Sequence, residues 1–158
     1  MVKLLLVFII MLMGGTSSLQ VSQRDTQRAD DLARFLTAIN DYQTNNMGKT
    51  PWRTGETDKN FVRRYIDTTC TTTNAEDYDC TGNEFRDPDG TTYGIKYEGK
   101  LATGKTDTID STSMDHKFHV WTNAVCDDDG KVKAAYGERQ VAIEYRLESG
   151  EITCNDNY

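Results

Sequence analysis

Leu32, Phe35, Leu36, Ile39 and Tyr42 fall at i, i+3, i+4, i+7 and i+10, one apolar stripe on a helix of 3.6 residues per turn. The stripe predicts an amphipathic helix over about residues 22–45 that must lay this face on something else. Its other faces alternate in charge through Arg24, Asp25, Arg28, Asp30, Asp31 and Arg34. Phe35, a fully buried Leu36 and Ile39 are expected to be covered by the sheet, with Arg28, Asp31 and Arg34 toward solvent or neighbouring subunits. Asp30 and Arg34 stand at i, i+4 with the acid first, the better orientation for a pair. Asn45-Asn46-Met47-Gly48, with Pro51 beyond, supplies a stop.

The cover for that stripe lies at the other end of the chain. Val141, Ile143, Tyr145 and Leu147 alternate with a period of two, the strongest strand pattern present. Glu148-Ser149-Gly150 turns it into Glu151-Ile152-Thr153-Cys154, a hairpin. Tyr93, Ile95 and Tyr97 alternate as well, as do Phe118 and Val120. Asp127-Asp128-Asp129-Gly130-Lys131 and Asp87-Pro88-Asp89-Gly90 read as turns, the proline pre-setting the backbone and the glycine closing it. Residues 49–84 are loop-rich, apart from Phe61-Val62-Arg63-Arg64-Tyr65-Ile66, which fits a helical turn or two. The order predicts an α+β fold: a long N-terminal helix packed on a small antiparallel β-sheet that occupies the β-rich residues 85–158.

Ahead of the helix stands an apolar run, Leu4 to Met13, after Lys3 and before Gly14-Gly15-Thr16-Ser17-Ser18. As a helix these ten residues span about 15 Å, half a hydrocarbon core. Two expectations stay open: a secretory signal peptide, or the end of a longer membrane helix that begins upstream. A core helix fits worse, because the run is apolar on every face. Either of the first two places the rest of the chain outside the cytoplasm. Residues 1–18 therefore stand apart from a single domain at 19–158, and 158 residues leave little for a second full domain.

An exported chain with four cysteines points to disulfides. Cys70, Cys80, Cys126 and Cys154 allow three pairings, of which the local one, Cys70–Cys80 with Cys126–Cys154, is favoured. Loop closure makes the two bonds worth about 3 and about 3.5 kcal/mol.

Lys and Arg number 18 against 25 Asp and Glu, a net charge of −7, so the chain lacks the basic field that holds a phosphate backbone. No nucleic-acid partner is expected. With only 2 His, acid–base and metal chemistry are thinly provided. His116 and His119 are three apart, and in a strand they would face opposite sides rather than share a metal. The Asp127 turn lacks the alternating ligands and distal Glu of an EF-hand. No nucleophile elbow, phosphate loop or Ser/His/Asp grouping is present. The expectation is a non-enzyme with no catalytic residue, cofactor or metal.

The run Ser22-Gln23-Arg24-Asp25-Thr26-Gln27-Arg28-Ala29-Asp30-Asp31-Leu32, leading to Ala38-Ile39 and Tyr42-Gln43-Thr44-Asn45-Asn46 with Gly48 and Pro51 after it, resembles the exposed half of a type IV pilin helix. It is especially similar to pilin-like proteins of very small, host-attached bacteria. Phe85-Arg86-Asp87-Pro88-Asp89-Gly90-Thr91-Thr92-Tyr93 is similar to the Asp-Pro-x-Gly-x-x-Tyr turn of secretion-system pseudopilins. A Cys126–Cys154 pair around Arg139–Leu147 resembles the disulfide-bounded C-terminal region of pilins. The resemblance covers roughly Leu19 to Tyr158 and departs at the start. Pilins carry a Gly followed by a Phe-like residue, then a Glu five positions into a long apolar helix. This chain has no such Glu, and Lys3 stands in the apolar context instead.

The resemblance implies a structural subunit of an extracellular type IV pilus-like filament, serving surface attachment or motility and membrane-anchored before assembly. Its helix would pack into the filament core with the β-rich domain outward. The partners implied are other pilin subunits, the inner membrane before assembly and a host-cell surface. A second reading is a secreted soluble binding or adhesion module that uses the loops at 49–84 and 98–115. A secreted enzyme comes third.

Overall fold

The computed structural model describes residues 2–54, 58–66, 85–109 and 116–158, with side chains from Ser17 onward outside 53–60 and Arg63. Helix α1 runs unbroken over Val2–Asn45, 44 residues or about 66 Å. It starts twenty residues before the predicted boundary, at Val2 rather than near Ser22. Gly14 and Gly15 each cost a helix roughly 1 kcal/mol, but no proline interrupts the segment, so nothing there forces a break. From Ser17 on, no helix is long and apolar enough to cross a membrane. The helix ends where Gly48 N–H bonds the Gln43 carbonyl at 2.7 Å, a Schellman-type closure. Gly48 has φ +78°, a backbone conformation that favours glycine, and a Cβ there would have to displace the flexible Arg139 side chain. A 3-10 turn, Pro51–Thr54, and a short helix α2, Asp58–Tyr65, follow.

Among the described residues, seven strands follow: β1 Gly94–Lys100, β2 Thr106–Asp107, β3 Lys117–Thr122, β4 Ala124–Cys126, β5 Val132–Ala134, β6 Val141–Arg146 and β7 Ile152–Asp156. They form two sheets, one of four strands in the order β1-β3-β6-β7 and one of three in the order β2-β5-β4. The larger sheet is mixed, not antiparallel as the sequence predicts, because β1 runs parallel to β3. Parallel neighbours need a crossover of a dozen residues or more. The sixteen residues between Lys100 and Lys117 provide it and place β2 in the second sheet on the way.

The two faces of β6 explain the layering. Val141, Ile143 and Tyr145 join Leu32, Phe35, Ala38, Ile39 and Tyr42 of α1 in the larger core. Ala142, on the opposite face, joins Trp121, Ala124 and Val132 beneath the second sheet. The alternation of β6 predicts one wet face, yet Ala142 and Glu144 are fully buried. The small sheet β2-β5-β4 covers them. The Cys126–Cys154 disulfide joins β4 of the small sheet to β7 of the large one. The Cys70–Cys80 pairing lies outside the described residues.

Aromatic rings fill the larger core around Phe35, whose ring lies 5.1 Å from Phe118 and 5.7 Å from Phe61. Phe118 in turn meets Tyr93 at 4.6 Å and Tyr145 at 5.1 Å. Leu36 is half-buried at the edge of this cluster rather than inside it. One position round from the stripe centre, its side chain lies over the rim of the sheet.

Candidate functional site

The charged residues of α1 are not all solvated. Asp25, Arg28, Leu32, Phe35, Ile39 and Tyr42 fall alternately three and four residues apart, so the apolar stripe continues in register as an arginine and an aspartate. Arg28 is 0 % exposed and Asp31 only 3 %, both buried within the chain itself, which corrects the expectation that they point to solvent or neighbouring subunits. An arginine on this line has nowhere to go but inward, and its burial requires acceptors there.

Those acceptors come from Asp25 one turn back on the helix and from two turns far along the chain. Arg28 donates through Nε to Asp87 Oδ2 and through a terminal nitrogen to Asp87 Oδ1, each at 2.7 Å. Its other terminal nitrogen donates to Asp25 Oδ1 at 2.9 Å and Glu148 Oε2 at 3.0 Å. Asp87 opens the Asp-Pro-Asp-Gly turn, where its Oδ1 also accepts the Asp89 amide at 3.0 Å. The Tyr145 hydroxyl, arriving from β6, donates to Asp87 Oδ2 at 2.9 Å. Asp25 accepts the backbone amides of Glu148 and Ser149 at 2.9 and 3.1 Å, capping the β6–β7 turn from the helix side. Arg24 closes the rim with a two-pronged pair to Glu148.

The electrostatics follow from these contacts. Burial works to raise the Asp87 carboxyl, but the Arg28 guanidinium, the Asp89 amide and the Tyr145 hydroxyl outweigh it and hold it down at about 2. Glu148, at the rim, is held at about 2 by its bonds from Arg24 and Arg28. Asp25 is lowered too, its desolvation overcome by the Glu148 amide, Arg28 and the Ser149 amide. Desolvation pushes the Tyr145 hydroxyl upward, and the Asp87 carboxylate that it bonds adds to the shift, so it stays a donor. Asp31 goes the other way: burial raises it, partly offset by the Tyr93 hydroxyl at 3.1 Å and by Arg34.

Arg34 keeps the exposure expected of it, donates to Asp31 at 3.1 Å and lies over the Phe85 ring at 5.9 Å. Beside the network, His116 holds its two ring nitrogens 3.5 Å from Asp87 and from Asp89. Asp87, Asp89 and His116 thus present ligand-type atoms within 4.8 Å of one another. The Asp87 oxygens are, however, committed to Arg28 and Tyr145, and a guanidinium at 2.7 Å supplies the positive charge a cation would bring. His119 goes to a different partner, Glu98, with Nδ1 and Oε1 at 2.6 Å. It shares the outer face of the large sheet with Glu144, whose Oε2 accepts the Ile109 amide at 3.0 Å. Burial raises the Glu144 carboxyl, against the bonds that favour its charged form.

The predicted packing residues Leu32, Phe35, Ile39 and Tyr42 come together in the core, with Leu36 at its margin. Cys126 and Cys154 are bonded to each other. Asp25, Arg28, Asp87, Tyr145 and Glu148 are the group that the residue types hid and the stripe register contained. What the group does chemically is fasten: each buried charge has a matched counter-charge or donor, and three elements distant in sequence meet in it. Comparison with protein-family models, curated proteins and solved structures finds no match to this chain.

Proposed function

We propose that the chain is a pilin-like structural subunit of an extracellular filament that serves attachment or motility. The observation that carries the reading is the division of α1. It is one continuous helix of 44 residues, and its apolar stripe is buried on the sheet only from Leu32 to Tyr42. Ser17 to Gln20 are exposed, including Leu19, so the helix continues past the domain it covers. A helix of this kind has a face left for neighbouring copies, while the acidic, disulfide-tied head stays soluble. The Arg28 network supports the same reading. It clamps the helix to the head just where the helix leaves it, so a pull along the helix reaches the sheet through ion pairs as well as through packing.

The test is to shear the surface of cells that make this protein and examine the released fraction by electron microscopy with an antibody to residues 85–158. Filaments decorated along their length, with α1 retained by intact mass, are the expected result. A soluble monomer that begins near Gly15 replaces the filament with a secreted binding module.

A further inference from the structure

At the far end of α1, a cleft of about 370 Å³ opens between the segment after the helix, the end of β1 and the β3–β4 junction. That volume is within the ~300–1,000 Å³ of small-ligand sites. Arg28 and Asn45 are seventeen residues apart on the helix, about 26 Å, so the cleft owes nothing to the charge network. Its apolar part is a pair of rings. Trp52 and Tyr97 stack with centroids 5.7 Å apart and planes 2° from parallel. Trp52 is anchored from behind by Phe35 and Phe61. Tyr97 is 46 % exposed and is held by its hydroxyl to Thr122 Oγ1 at 3.2 Å.

The rest of the lining is polar and partly unused. Asn123 is 7 % exposed, and among the described residues its side-chain amide has no hydrogen-bond partner. Its backbone sits at φ +55°, pinned by the Ala135 amide on its carbonyl. The amide is thus held in place with its donors and acceptor open to the cleft, where a ligand can replace water on them. Thr50, 3 % exposed, lines the cleft with a hydroxyl in the same condition. Lys100 and Glu138 add one charge of each sign.

From this juxtaposition of a ring face, a fixed free amide, a free hydroxyl and balanced charge, we infer that the cleft binds a neutral saccharide. A pyranose has an apolar C–H face for the rings and a rim of hydroxyls that both donate and accept. An apolar ligand would leave Asn123 and Thr50 unpaired, at a cost for each. An anion gains from Lys100 but meets Glu138. The inference stands whether or not the protein forms filaments.

The test uses the full chain and a panel of neutral di- and trisaccharides of glucose, galactose, mannose and N-acetylglucosamine. Tryptophan fluorescence reports on Trp52, since the other tryptophan, Trp121, is buried under the small sheet. At least one sugar is expected to give a saturable change, with Kd in the ~0.1–10 mM range of shallow sites. Asn123→Gly, which keeps the positive φ, is expected to weaken it about tenfold or more with Tm unchanged, and Tyr97→Ala to weaken it at least as much. Where Asn123→Gly lowers Tm, Asn123→Asp removes the amide donor and keeps the shape. Saturation-transfer NMR is expected to show the sugar C–H face closest to aromatic protons. No saturable response to any sugar in the panel overturns the inference, and so do variants that bind as the parent does.

Discussion

Arg28 and Asp87 meet through two parallel hydrogen bonds of 2.7 Å, with both side chains wholly removed from solvent. A bidentate pair of this kind is matched in shape as well as charge, and breaking it leaves a buried ion uncompensated. Arg28→Met and Asp87→Asn are each expected to cost about 3–5 kcal/mol in urea unfolding. The double variant is expected to cost clearly less than their sum, because neither charge is then left alone. Arg28→Lys, which cannot reproduce the fork, is expected to fall near Arg28→Met. Additive losses would show that the two residues do not act as a pair.

The same carboxylate sets an acid limit. Asp87 is held at about 2 in the folded chain against an ordinary 3.8. A depressed carboxylate stabilises above its ordinary value, and that contribution fades as pH falls from about 4 toward 2. It amounts to about 2 kcal/mol. Glu148, held at about 2, works in the same direction. Urea midpoints measured from pH 7 to pH 2 are expected to fall through this window, with a shallower fall in Asp87→Asn.

Glu144 runs with the opposite sign. Its folded carboxyl is raised by burial, so it favours the folded state when protonated and detracts from it as pH rises past the carboxylate range. Glu144→Gln keeps the shape and can still accept the Ile109 amide. It is expected to stabilise the protein, and by more at pH 8 than at pH 4. Thermal melts of both proteins at the two pH values check this, and a gain independent of pH would contradict it.

Within the stripe, position decides the cost of truncation. Phe35 touches Trp52, Phe61, Phe85 and Phe118, so Phe35→Ala is expected to cost about 3–5 kcal/mol. Leu36, half-buried at the margin, is expected to cost less than the ~2–5 kcal/mol of a core leucine. Chemical denaturation of the two variants orders them.

The Cys126–Cys154 bond closes a separation of 28 residues, worth about 3.5 kcal/mol by loop closure. Replacing both by Ser is expected to remove that amount. Amide exchange is expected to quicken first in β4, β5 and β7, where the small sheet loses its tie, and later in α1.

Periodicity made the layers legible: the α1 stripe and the β6 alternation lie on opposite sides of one core. Both also carried information that residue chemistry obscured. Arg28 and Asp25 continue the stripe in register, and the register puts them indoors. Their polarity argues the reverse, and the partners that reconcile the two, Asp87 and Glu148, are 59 and 120 residues from Arg28. Glu144 was hidden differently, because nothing local says that Ala124 and Val132 will fold over the outer face of β6. The parallel direction of β1 against β3 likewise depends on a crossover rather than on either strand. The cleft at Trp52 and Asn123 draws on four separate stretches of chain, each ordinary alone.

The sequence separations in the Arg28 network bear on how the chain is made. Synthesis runs from the N-terminus, so α1 emerges with its central arginine long before the partners that neutralise it. Glu148 follows Arg28 by 120 residues, about 6–24 s at 5–20 residues per second. During that interval the stripe cannot close over a guanidinium that still needs water. The helix can form early, but it docks only when the final hairpin arrives. A ribosome stalled before residue 148 would therefore display α1 undocked, its apolar face open to any chaperone that reads such surfaces.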